Sequence, residues 1–84
     1  MSAVVSAEIL WRAPVFVRIG HGASEPVENV AAAIDYLKNR WPHERGIHYE
    51  RAIYDCGKSA ERLVPAEVAR ESFIAAAIEA YVIA

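Results

Sequence analysis

Apolar positions along the chain change their spacing near residue 28. Before it, Val15, Val17 and Ile19 recur every second residue while Arg18 points the other way, the pattern of a strand with one buried face. Ile9-Leu10-Trp11 extend or precede this strand, with Pro14 interrupting the ladder. Gly20-His21-Gly22-Ala23-Ser24 has the composition of a turn, and Glu25-Pro26-Val27 that of a short returning strand. The prediction is a small antiparallel hairpin, which is marginal by itself and must lean on helices.

After residue 28 the period becomes helical. Asn29 is the expected N-cap, followed by Val30, Ala33, Ile34, Leu37 and Trp41 on one stripe, with Asp35, Lys38 and Arg40 opposite. Pro42 stops this helix, because the residue before a proline avoids helical backbone angles. Gly46 closes the loop that follows. A second helix carries Tyr49, Ala52, Ile53, Cys56, Ala60 and Leu63 on one stripe, and Gly57 within it marks a bend or a close helix crossing. Pro65 opens a third helix, about 66–82, with Glu67 near its positive end. Past Glu71 its only charge is Glu79, so it is apolar nearly all round: the central helix of the fold, or one with a face against another protomer, and the two are compatible.

The expected fold class is therefore α+β, a small N-terminal antiparallel β-hairpin packed against three α-helices. With 84 residues the chain is expected to form a single domain, residues 1–8 being a flexible N-terminus. An apolar share of 55% is high for this length and raises the expectation that a partner covers leftover apolar surface. The net charge of -2 gives no reason to expect nucleic-acid binding, and the cluster Lys38, Arg40, Arg45 and Arg51 is diluted by Glu44 and Glu50. No apolar run approaches the roughly 18 residues that span a bilayer, and no signal peptide is evident. With Cys56 the only cysteine, the secreted disulfide class is excluded and a cytoplasmic location is expected.

In order, the chain shows Pro14-Val15 before a strand, Trp41-Pro42, Gly46, then Tyr49, Ala52 and Cys56, then Ala69-Arg70, Phe73-Ile74, Ala77 and Ala80. The Trp-Pro pair, the Tyr-x-x-Ala-x-x-x-Cys spacing and the Ala-Arg-x-x-Phe segment are its most telling pieces. The pattern resembles the domain of unknown function 982 family, small bacterial proteins found mainly in rhizobia and their relatives, from about Trp11 onward. The resemblance implies the same compact α+β fold and supplies no activity or catalytic residues.

Candidate chemistry is thin. Cys56 as a nucleophile needs an adjacent base, but His48 lies roughly 12 Å away along a helix, and Cys56 falls on the apolar stripe where a thiol packs as a small hydrophobe. His21, His43 and His48 match no zinc spacing and are expected as solvated loop residues. Gly20-His21-Gly22 lacks the third glycine and the following helix of a dinucleotide-binding turn. Arg70, in apolar company, either ties elements together through Asp35, Asp55 or a helix C-terminus, or clamps an anionic ligand. Trp11 and Trp41 are expected to pack the hairpin on the helices. No cofactor or metal is called for.

These features favour a non-enzymatic interaction module binding protein, most simply a second copy of itself as a homodimer, through Phe73, Ile74, Ile78, Tyr81 and Val82 of the third helix. The alternative is a small-ligand-binding or enzymatic domain centred on Arg70 with Cys56 or a nearby histidine, which requires a concave pocket where these groups converge.

Overall fold

The computed structural model describes residues 10–84; the expected flexible segment 1–8 and Ile9 lie outside the described residues. Strands β1 (Val15–Val17) and β2 (Glu25–Val27) pair antiparallel, with Val15 opposite Val27 and Val17 opposite Glu25. Val15, Val17 and Val27 are buried and Phe16 is exposed, as the two-residue period requires. The Trp11 N–H donates to the Glu28 carbonyl at 2.7 Å, so chain pairing resumes upstream of Pro14.

Helix α1 (Val30–Asp35) begins where expected: the Asn29 side chain accepts from the Ala32 N–H at 2.8 Å. It then widens into a π-helical turn, Tyr36–Arg40, before Pro42 ends it. Helix α2 (Ile47–Ala60) and helix α3 (Ala66–Glu79) follow and pack on each other. The fold is thus the α+β arrangement of hairpin and three helices that the pattern implied.

Phe73, on α3, sits at the centre with no exposed surface. Trp11 and Trp41 lie against it at centroid distances of 5.8 and 5.5 Å, both tilted, which is favourable aromatic geometry. One indole comes from the segment before β1 and the other follows the π-turn, so Phe73 joins the hairpin side to the helices. Ala69, Ala76 and Ala77 are also buried, and α3 touches α2, α1 and β1. That accounts for its apolar circumference: it is the central helix.

Three expectations need correction. The third helix ends at Glu79, not at residue 82. Tyr81 takes φ 60, the Val82 N–H donates to the Ala77 carbonyl at 2.9 Å and the Tyr81 N–H to the Ile78 carbonyl at 3.1 Å, the paired bonds of a Schellman stop. Val82 turns inward and Ile83 bridges antiparallel to Val17, adding a short third edge to the sheet. In α2 the buried stripe stops at Cys56, because Ala60 and Leu63 are exposed beyond it. Gly57 marks no close crossing, since a Cβ there would meet no atom within 4 Å. Gly57→Ala is therefore expected to stabilise the protein by about 0.5–1 kcal/mol through reduced chain entropy, read as a raised urea midpoint with an unchanged m-value.

The start of α2 is held from a distance. Its N-cap, Gly46, has no side chain to offer, and the Glu79 carboxylate takes that role. It accepts from the N–H groups of Gly46 (3.2 Å), His48 (3.2 Å) and Tyr49 (3.1 Å). These are donors that a helix leaves without internal partners, and an anion suits the positive helix end.

Candidate functional site

The structure does not gather the residues singled out for chemistry. Cys56 is fully buried, its thiol 3.9 Å from the Ala69 carbonyl. Burial, reinforced by the neighbouring Asp55 carboxylate, pushes its pKa up to about 12, so the thiol stays protonated at neutral pH. His21, His43 and His48 are exposed on the hairpin turn, the α1–α2 connection and the first turn of α2. Among the described residues no three or more His, Cys, Asp and Glu side chains come together as a metal site would need.

Arg70 takes neither expected carboxylate. Its Nε donates to the Ala13 carbonyl at 2.8 Å and its Nη1 reaches Glu67 at 3.4 Å, tying the segment before β1 to α3. Asp35 instead accepts from Asn39, and the buried Asp55 accepts from the Ser72 hydroxyl across the α2–α3 contact. No hydrogen bond joins Arg70, Cys56 and any histidine among the described residues.

Of the proposed contact residues, Phe73 and Val82 belong to the core and present nothing to a partner. Ile74 is half-buried against that core. Trp41 is buried between Phe73 and Tyr49. Ile78 and Tyr81, by contrast, are 57% and 89% exposed. They flank Glu79, whose carboxylate holds the backbone on either side of Ile47, itself 76% exposed. Three large exposed apolar side chains thus belong to the end of α3 and the start of α2, which the Glu79 cap holds together. The contribution of Ile47 escaped sequence reasoning, because only the Glu79 cap brings it there.

Two other features were not visible in the sequence. Glu25 on β2 accepts from Arg40 Nη1 and Nη2, each at 3.1 Å, and from the Tyr36 hydroxyl, while Arg40 stacks 4.2 Å over the Tyr36 ring. The Arg40 and Tyr36 hydrogen bonds outweigh desolvation and hold the Glu25 carboxyl below its usual range. Arg45 donates to the carbonyls of Trp41 and Pro42. Two members of the basic cluster are therefore engaged within the fold.

The second feature is a groove of about 750 Å³ between α1 and the turn joining α2 to α3. Val30, Ile34, Ala60, Leu63 and Val64 are among its apolar walls, and Ser59 and Arg62 are its polar side chains. Arg62 has φ 64 and ends α2 in a second Schellman stop, with Leu63 donating to Lys58 at 2.8 Å and Arg62 to Ser59 at 2.9 Å.

Fold and surface together define a small α+β domain, built on a central helix, in which polar side chains such as Arg70, Glu79, Glu25 and Asp55 tie elements together. The chain belongs to the family described as protein of unknown function (DUF982), whose model matches residues 13–84. It is similar to an Agrobacterium tumefaciens protein, Atu1219, solved by NMR: 27% identity, TM-score 0.78, covering 100% of this chain and 84% of that one. No curated protein matches this chain. Among the described residues, no helix is long and apolar enough to cross a membrane.

Proposed function

We propose that this protein is a non-enzymatic interaction module that binds protein, in the first place a second copy of itself, through the corner formed by Ile47, Ile78 and Tyr81. The observation that carries this reading is their joint exposure around the Glu79 cap. Tyr81 is the natural anchor. Its backbone is held by the Schellman bonds, so the main chain has little freedom left to lose on binding, and exposed tyrosines are favoured contact centres. A two-fold pairing sets the same corner against itself. Three side chains are the middle of an interface rather than the roughly 800 Å² per partner of a tight complex, so association is expected to be weak. The free Cys56 suits a reducing cytoplasm, where the reading places the module.

Sedimentation across a micromolar concentration series tests it. The wild-type chain is expected to associate reversibly, and Ile78→Glu and Tyr81→Glu are each expected to abolish association without lowering helix content. A chain that stays monomeric throughout, or variants that associate equally well, would remove the reading.

A further inference from the structure

The groove beside α1 is separate from that corner, since none of Ile47, Ile78 and Tyr81 lines it. We propose that it binds a free medium-chain carboxylic acid, the aliphatic tail on the apolar walls and the carboxylate on Arg62. Its volume, about 750 Å³, falls within the roughly 300–1,000 Å³ of small-ligand pockets. Among the described residues the walls are aliphatic and Ser59 is the only polar side chain besides the arginine, so a peptide backbone would find few hydrogen-bond partners there.

Charge selects the head group. Arg62, like Arg18, Arg45 and Arg51, makes no ion pair among the described residues, and of these four it alone lines the groove. Among the described residues no acidic side chain lines the groove, and Glu67 in the first turn of α3 is held by Arg12 at 3.1 Å and Arg70 at 3.4 Å. A guanidinium fork matches a carboxylate in charge and shape, and one cation balances a singly charged group better than a phosphate. The Arg62 backbone is fixed by the bonds that end α2, which sets the stem at the groove rim.

The test is an amide NMR titration of the full chain with decanoate, using decanol as the neutral control. Decanoate is expected to give saturable shifts at residues 30–34 and 59–66. Arg62→Gln should weaken decanoate about tenfold, the loss of one charge-assisted contact, and leave decanol unchanged. Ala60→Trp, at an exposed position on the groove wall, should weaken both. Absence of saturable shifts there, or equal affinity for decanol and decanoate, overturns the proposal. So do contacts from Val4 or Val5 methyls to Ile34 or Leu63 in the ligand-free chain, which assign the groove to that segment. Movement of the same amides on dilution assigns it to a second copy, and retention by anionic phospholipid vesicles without response to free decanoate assigns it to a membrane; either result also overturns it.

Discussion

Phe73→Ala is expected to cost about 3–5 kcal/mol, the range for removing a fully buried aromatic ring, and so a large part of the stability a chain of this size commands. The ring lies between Trp11 and Trp41, so its loss leaves a void lined by two indoles that come from different parts of the chain. Neither can collapse into it without pulling on the pairing at Glu28 or on the turn before Pro42. The melting temperature should fall by more than about 12 °C, and indole emission should shift to the red in whatever fraction remains folded. Phe73→Leu, which keeps most of the volume, should cost less than half as much. A fall of under about 5 °C for the alanine variant would instead place Phe73 at a surface, as the third-helix contact reading required.

What the sequence made legible was local. The alternation of Val15 and Val17, the Asn29 cap and the stop at Pro42 each depend on a few neighbouring residues, and all appear where the pattern puts them. The end of α3 depends on a distant partner. Ala80-Tyr81-Val82-Ile83 contains no glycine or proline and continues an apolar run, so nothing nearby forbids helix. The chain leaves the helix because Val82 gains burial and Ile83 and Ala84 gain pairing with β1, which together outweigh the cost of holding Tyr81 at positive φ. The apolar circumference of α3 was legible too, but two compatible explanations fitted it, and only packing shows that α3 is the central helix.

The candidate surfaces show the same limit. Ile78 and Tyr81 were legible as apolar residues, whereas Phe73 and Val82 could not be separated from them without knowing which side of α3 meets α2 and where the helix stops. Arg70 was recognised as a residue needing partners, yet its strongest one is a backbone carbonyl at Ala13, which leaves no trace in side-chain identity. The groove arises from how the turn at Arg62 to Pro65 stands off α1, a matter of loop geometry rather than composition.

The second large effect concerns the cap on α2. In the sequence Glu79 is the lone charge in an apolar run, but beside a helix that begins at Gly46, such a carboxylate signals a cap supplied from another element. Glu79→Gln should lower the melting temperature by about 4–8 °C at pH 7, the scale of a lost helix cap. Glutamine keeps one acceptor oxygen, enough for Gly46 and Tyr49, but turns an amide toward the His48 N–H and removes the charge. Gly46→Ala should act similarly from the other side. Its Cβ would stand 2.5 Å from Glu79 Oε2, and the flexible carboxylate must swing away to make room. The pH dependence distinguishes this from a general packing defect. Desolvation works against the charged carboxylate, yet the N–H groups of His48, Tyr49 and Gly46 outweigh it and hold the Glu79 pKa below its ordinary 4.5. A carboxyl depressed in the folded state contributes stability fully above that ordinary value and loses it as pH falls through the folded one. The gap between wild type and Glu79→Gln should therefore be constant from neutral pH down to about 5 and narrow below 4.5. Thermal melts of the two proteins across that interval give the answer directly, and a gap that stays the same at pH 3 would show that the carboxylate charge plays no part in holding α2.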